Sequence, residues 1–206
     1  MMRIFLIRHG ENEWNRIKLL QGSSDVKLSS EGLHQARLLA NYISLQHVDA
    51  IYSSDLSRAV ETAKILADRF KLPVKKIPDL RETNFGDWEG KNIDELIDES
   101  PFEFGRFFTS PERCHPPNGE TFIEAQARAM NALREIIADH DDQNVLIVAH
   151  GSINRLIIGA ALDMPIHKMW AISQFNTAVN VLRADDGNLT VELVNGTSHL
   201  HFSWDG

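Results

Sequence analysis

The 206 residues contain a single cysteine, Cys114, so no disulfide can close within the chain. No stretch approaches the ~20 consecutive apolar residues of a membrane span. Positive charge is in deficit: Lys and Arg number 21 against 29 Asp and Glu, a formal net charge of −8. Phosphate backbones and acidic membranes select basic surfaces, so this balance argues against nucleic acid and membrane as partners. It leaves room for a small anion in a local basic pocket. Metal-ligand spacing is missing as well, with no His-Glu-x-x-His and no paired cysteines, so neither a metal nor a cofactor is expected. Repeats, low-complexity tracts and long linkers are absent, and the length suits one domain over 1–206. With 43% apolar and 24% charged residues the chain can bury a sizeable core without staples. The short apolar run near Ile4 lacks a small-residue cleavage site and reads as a first strand, not a signal peptide. A reducing cytoplasm is the expected compartment, where the sequons at Asn188 and Asn195 have no meaning.

What is present alternates between strand and helix patterns. Residues 4–7 form a compact apolar run of the kind a strand buried on both faces shows. Ser29-Ser30-Glu31 opens a helix with a serine cap and an acidic first turn, followed by Leu33, Ala36, Leu39, Ala40 and Ile43. Residues 50–52 are a second strand, and Ser54 or Asp55 is expected to cap the helix carrying Val60, Ala63, Leu66 and Ala67. Residues 74–77 make a third strand, 120–139 a long helix, and 145–149 the clearest buried strand, running into His150-Gly151 and another helix. Residues 179–182 and 189–194 flank Asp185-Asp186-Gly187-Asn188, a hairpin signal. This order implies a three-layer α/β/α sandwich, its sheet mostly parallel with an antiparallel edge hairpin.

Ligands of such sheets bind beyond the carboxyl ends of the strands. Four exits carry reactive groups: Arg8-His9, Arg58 after the second strand, Arg81-Glu82 after the third, and His150-Gly151. Singly, each has a bland reading, as a solvated helix arginine, a carboxylate paired with Arg81 or Lys91, or a satisfied strand-end histidine. Together they make an oxyanion pocket of guanidiniums, imidazoles and helix-start amides. A neutral histidine among cations suits a nucleophile, and a carboxyl group in an anion pocket suits a general acid. Phosphoryl transfer asks for such positioning and charge stabilisation.

Five ordered motifs then bring a resemblance into view. Leu6-Ile7-Arg8-His9-Gly10-Glu11 with Asn12-Glu13-Trp14-Asn15 resembles the signature of the histidine phosphatase superfamily, phosphoglycerate mutase-like branch. Ser53-Ser54-Asp55-Leu56-Ser57-Arg58, Leu80-Arg81-Glu82 with Phe85-Gly86-Asp87-Trp88-Glu89-Gly90, Asn118-Gly119-Glu120-Thr121 and Val148-Ala149-His150-Gly151 come after it in the family's order. The resemblance implies that His9 forms a phosphohistidine and that Glu82 protonates the leaving oxygen and then activates water. It implies that Arg8, Asn15, Arg58, His150 and the Gly151 amide hold the phosphoryl group, with Gln21 and Gly22 in a loop near the substrate.

Hydrolase and mutase share these residues, and their surroundings decide between them. The lid-like insertion at about 91–118 has few basic residues (Lys91, Arg106, Arg113, His115) and many acidic ones, and only seven residues come after His199. Resemblance gives cofactor-dependent mutases a longer, more basic insertion and an ordered tail, so phosphomonoester hydrolysis is expected here. A phosphoglycerate mutase and a non-catalytic phospho-ligand binder are the alternatives. Within the family the motifs look like the phosphoserine and α-ribazole phosphatases, although Phe85 stands where phosphoserine phosphatases carry a histidine. Phe102, Phe104, Phe107 and Phe108 either pack the insertion down or form an apolar wall for the leaving group. Trp88 and Trp170 are expected to pack against the body, and His199-x-His201 to form a terminal edge. An exposed edge strand near 178–194 would support a homodimer by sheet extension.

Overall fold

Strand β1, Met2–Arg8, lies in the middle of a six-stranded sheet because its side chains are apolar on both faces. The structure is a computed structural model and describes residues 1–43, 47–113, 115–185 and 187–200. After β1 come a single-turn helix α1, Glu13–Arg16, then α2, Ser30–Tyr42, β2, Ala50–Ser53, and α3, Ser57–Phe70. Next are β3, Val74–Lys76, a pair of short helices α4, Ile93–Glu99, and α5, Pro101–Thr109, and the long α6, Phe122–Ala138. The chain continues through β4, Asn144–Ala149, α7, Gly151–Ala161, and the hairpin strands β5, Val179–Asp185, and β6, Asn188–Gly196.

The sheet order is β3-β2-β4-β1-β5-β6. Pairs among the first four strands are parallel, and β5 and β6 add antiparallel at one side. This is the expected α/β sandwich, and alternation along β4 shows how it is built. Val145, Ile147 and Ala149 face a core shared with α6 and α7, while Leu146 and Val148 face one shared with α2 and α3. Covering both faces leaves the loops at the carboxyl ends of β1, β2 and β4 as a common rim. Among the described residues no helix is long and apolar enough to cross a membrane.

Local chemistry corrects several expected boundaries. Ser29 caps α2 as anticipated, accepting from the Gly32 amide. The cap expected at Ser54 or Asp55 does not form: α3 begins at Ser57, whose amide and hydroxyl are bound by the distant Asp25 carboxylate. Asp55 is taken instead by a two-bond pair with Arg81. The long helix starts after Thr121, in a capping box with Glu124, and leaves Glu120 outside to bind Arg128. The terminal edge expected at His199 is a 3-10 turn, Ser198–Leu200, in which His199 is buried against Thr177; His201 lies outside the described residues, as do Cys114 and Asp186.

Candidate active site

The loop exits of β1 and β2 and the 79–82 segment bring His9, Arg58 and Glu82 around one cavity of about 260 Å³, and the exit of β4 sets the buried His150 beside His9. Arg8, Asn15, Gln21, Gly22, Ser152 and Arg155 also line the cavity. A larger cleft of about 900 Å³ opens at the opposite ends of the strands, around Met1, Arg134 and Asp142. The smaller cavity is the candidate site, because ligands of parallel sheets bind beyond the carboxyl ends of the strands.

His9 is buried and held from both sides of its backbone. Its amide donates to Ala149 O (3.0 Å), and its carbonyl accepts from the Thr177 amide (3.2 Å) and the Asn176 side chain (3.1 Å). The ring Nδ1 lies 2.7 Å from the carbonyl oxygen of Gly10. A carbonyl can only accept, so Nδ1 carries the hydrogen and Nε2 presents a lone pair to the cavity. Burial, followed by the charges of Arg58 and Arg8, pushes this imidazole well below its ordinary pKa. The histidine is therefore neutral at pH 7.

His150 sits with its ring centroid 5.1 Å from that of His9. Neither of its ring nitrogens has a hydrogen-bond partner, although both are buried. Burial first, then Arg58, also hold it well below its usual pKa. Arg58, fully buried in the first turn of α3, donates to Ser24 O and Gly22 O (2.7 Å each) and leaves Nε unpaired. Arg8 bonds Gln174 O through Nη1, and its Nε is unpaired too. Burial lowers both guanidiniums to about 10, which leaves them charged at neutral pH. Buried polar atoms are seldom orphaned, and these orphans belong to two residues that border one small cavity, Arg8 and Arg58, and to the His150 ring beside His9.

Glu82 accepts from the Thr83 amide through Oε1 (2.8 Å) and from the Ser152 amide through Oε2 (3.0 Å), so the first turn of α7 holds the carboxylate. Neither partner raised for it from the sequence is used: Arg81 pairs with Asp55 and Lys91 with Glu99. Gly151 precedes that amide, and a Cβ there would come within 3.2 Å of Arg155 Nη1 and 3.5 Å of Arg8 Nε. Glycine thus lets two guanidiniums close on the helix start. Asn15 Oδ1 accepts from Asn176, and Gln21 borders the cavity with its amide locked reciprocally to Asn12 (2.7 Å both ways). Gly22 has φ +52, and its carbonyl is an Arg58 acceptor. Eight of the nine residues expected from the sequence border this cavity, with Gln21 and Gly22 shaping it through Asn12 and Arg58; the ninth, His150, is buried beside His9.

Several contributors were not foreseen. Glu89 binds the amides of Ser23, Ser24 and Phe85, folding the loop that delivers carbonyls to Arg58. Arg128 donates to the carbonyls of Asp79, Arg81 and Glu82. Arg155, one turn into α7, reaches back over Gly151. The aromatic residues divide in a way the sequence did not reveal. Phe104 and Phe107 are buried and stacked (5.9 Å, 10°), with Phe107 5.4 Å from Phe85. Both also border the cavity with Phe108, so packing and wall coincide in them. Phe102 is 71% exposed and borders nothing in the site. Trp88 and Trp170 both pack as expected, and Trp170 also borders the cavity, its indole N–H on Phe107 O (3.3 Å). The arrangement can bind an oxyanion, offer it a neutral nitrogen nucleophile, and present a carboxyl group to a neighbouring oxygen. Among the described residues there is no group of three metal-ligating side chains.

Comparison with known proteins points the same way. The family model described as histidine phosphatase superfamily (branch 1) matches residues 4–197. Phosphoserine phosphatase 1 of Hydrogenobacter thermophilus is 32% identical over 200 residues, covering 97% of this chain and 95% of that one. A probable phosphoglycerate mutase GpmB of Yersinia pestis is 35% identical over 167 residues, 81% of this chain and 78% of that one. Among solved structures, a mutant phosphoserine phosphatase from Entamoeba histolytica in complex with phosphoserine superimposes with a TM-score of 0.88 at 28% identity, covering 97% of this chain and 100% of that one.

Proposed function

Because the chain belongs to the histidine phosphatase superfamily, branch 1, we propose that it hydrolyses small phosphomonoesters through a phosphohistidine on His9. The observation that carries this reading is the neutral His9 imidazole, with Nδ1 tied to Gly10 O, in a cavity it shares with Arg8 and Arg58 and with the His150 ring 5.1 Å away. In the first step Nε2 attacks phosphorus in line; the P–N bond forms, the ester P–O bond breaks, and Glu82 gives its proton to the leaving oxygen. In the second, Glu82 takes a proton from water, whose oxygen attacks phosphorus as the P–N bond breaks. Arg8, Arg58, Asn15, His150 and the Gly151 amide bind the equatorial oxygens and balance their charge. Gln21 and Gly22 shape the substrate side of the pocket. No cofactor or metal enters this scheme.

Residues 91–118 serve as the lid of a single domain spanning 1–206. The lid meets the cavity through Ile93, Phe104, Phe107 and Phe108, none of them basic. A mutase must grip a doubly phosphorylated intermediate in two orientations, which an apolar lid does not favour. Hydrolysis is therefore preferred over the activity named for the Yersinia relative. The outer strand β6, with Leu193 and Val194 exposed, is where a second copy would extend the sheet, and light scattering giving a 23.3 kDa particle would exclude that. A cytoplasmic location fits the single cysteine.

The test is phosphate release by metal-free protein over phosphoserine, α-ribazole phosphate, 3-phosphoglycerate, sugar phosphates and an aryl phosphate, with isomerisation of 3-phosphoglycerate measured in parallel. Hydrolysis of at least one ester at kcat/KM above ~10⁴ M⁻¹s⁻¹, abolished in His9→Ala, is the expected result. Fast isomerisation with little phosphate release would replace the hydrolase reading by the mutase one, and binding without turnover by a phospho-ligand binder.

A further inference from the structure

Asn176 is a polar side chain that the phosphoryl chemistry above does not use. It lies in the turn before β5 and does not border the cavity. Its Nδ2 nonetheless reaches two groups of the site, the carbonyl oxygen of His9 at 3.1 Å and Oδ1 of Asn15 at 3.3 Å.

Main-chain partners fix which end of each amide is which. The His9 carbonyl can only accept, so the end of Asn176 that meets it is the NH2 group. The Asn12 amide can only donate, and it lies 3.2 Å from the Asn15 side chain, so the end of Asn15 turned that way is the carbonyl. That oxygen therefore receives two donors, the Asn12 amide and Asn176 Nδ2. Asn15 Nδ2 is the end that remains, and among the described residues it makes no hydrogen bond. Asn15 borders the cavity with Arg8, His9 and Arg58. An asparagine free to turn over would offer a bound oxyanion its oxygen in one orientation and its NH2 group in the other. Here only the donating orientation satisfies both neighbours.

The turn that carries Asn176 is itself tied to the site. The Thr177 amide joins Asn176 on the His9 carbonyl, and the Ala178 carbonyl accepts from the Arg8 amide at 3.1 Å. One turn thus touches the backbone of Arg8 and His9 and the side chain of Asn15. Resting on the hydrolase reading for the reaction it serves, we propose that Asn176 is a positioning residue, whose NH2 group on Asn15 Oδ1 locks the Asn15 amide as a donor to the phosphoryl oxygens. The His9 carbonyl keeps its Thr177 amide when Asn176 is replaced, so the nucleophile stays in place and the effect falls on anion binding.

Inorganic phosphate is the probe, titrated calorimetrically into the metal-free chain, because binding it needs no turnover. Asn176→Ala and the bulkier Asn176→Leu should each weaken phosphate binding about 5- to 10-fold, the size of one ordinary hydrogen bond. In an Asn15→Ala background the same substitutions should change it less than about twofold. A dissociation constant does not depend on the fraction of chains folded, so a destabilised variant still answers. In turnover of an ester the loss should appear in KM, with kcat within about threefold of the wild type. An equal cost with and without Asn15, or a fall in kcat with phosphate affinity unchanged, would overturn the proposal and assign Asn176 to the His9 backbone. The expected coupling in a chain inert toward every ester would uphold the role of Asn176 and overturn the hydrolase reading. A wild-type chain that does not bind phosphate would overturn both.

Discussion

Removing Arg128 should slow the chemistry without loosening the grip on phosphate, because this side chain touches no part of the cavity and yet carries the backbone of Glu82. Its guanidinium donates to Asp79 O at 2.8 Å, Arg81 O at 2.7 Å and Glu82 O at 3.1 Å, and forms a two-bond pair with Glu120. Glu120 in turn accepts from the Asn84 amide, so one ion pair clasps the segment on both sides of the proposed general acid. Both side chains are about one-fifth exposed, at 22% and 20%. Arg128→Met strands one carboxylate and three carbonyls, a loss of ~2–4 kcal/mol after allowance for partial solvation. A domain of ordinary stability survives that. The larger consequence is kinetic. A displacement of about 1 Å at a reacting group costs roughly 10²-fold, so kcat should fall ~30- to 100-fold while KM moves less than about threefold, since Arg8 and Arg58 are untouched. Urea unfolding supplies the stability and steady-state assays the rates. The decisive comparison is Arg128→Met made with and without Glu82→Gln: if Arg128 acts through Glu82, its kcat cost nearly vanishes in the double variant. An equal cost in both backgrounds would refute the reasoning.

Glu82→Gln should slow alkyl phosphates more than aryl phosphates, because only poor leaving groups need the proton, and a dependence of rate on leaving-group acidity no steeper than in the wild type would count against the assigned role. Burial holds His199 at about 4 in the folded chain against 6.5 when exposed, so the unfolded state binds more protons between those values. Its contribution to stability is therefore complete above pH 6.5 and is lost as the pH falls toward 4; urea unfolding over that range should show a shallower loss in His199→Gln than in the wild type, and parallel curves would remove the claim. Phe108→Ala, at the cavity, should change relative kcat/KM across esters of different bulk, whereas Phe102→Ala, 71% exposed, should leave those ratios within about twofold; the reverse order would contradict the wall as drawn.

The parts legible in the sequence were those fixed by short-range pattern. Apolar runs such as Val145-Leu146-Ile147-Val148-Ala149 encode a strand covered on both faces, and the residues at the carboxyl end of such a strand fall at the rim. Arg8, His9, Arg58, Glu82 and His150 could be gathered in this way. The unforeseen contributors act across distance. Asp25 caps a helix 32 positions away, and Glu89 folds a loop some 65 positions before it. Arg128 sits on an amphipathic helix among other polar residues, and its periodicity resembles that of any solvated position. The four phenylalanines show the limit most clearly. Phe104 and Phe107 fall three apart and point inward, while Phe102 and Phe108 share the same short helix and face outward or toward the cavity. Composition alone could not separate them, since the neighbours that decide are Phe85, Phe122 and Trp170, brought in from other segments.

The electrostatics of the site arise from this same division of labour. Three guanidiniums, Arg8, Arg58 and Arg155, border a cavity whose one carboxylate, Glu82, is held by amides and not by any of them. Burial first, and then the charges of Arg58 and Arg8, keep His9 and His150 unprotonated. A bound phosphate dianion opposes that field, so the histidine that begins as a neutral base in an empty pocket meets an anion able to stabilise the positive charge it gains on attack. The backbone of His9 is held against this shift by Thr177, a β-branched residue at φ +56. Such a conformation costs of order 1–3 kcal/mol and persists only where its surroundings overdetermine it. Here the surroundings are identifiable. The Thr177 amide holds the His9 carbonyl, its hydroxyl meets the buried His199, and the adjacent Asn176 side chain holds the same carbonyl. Strain in one turn thus fixes the position of the nucleophile, and the buried imidazole of His199 ties the last described turn of the chain to the first strand's reactive end.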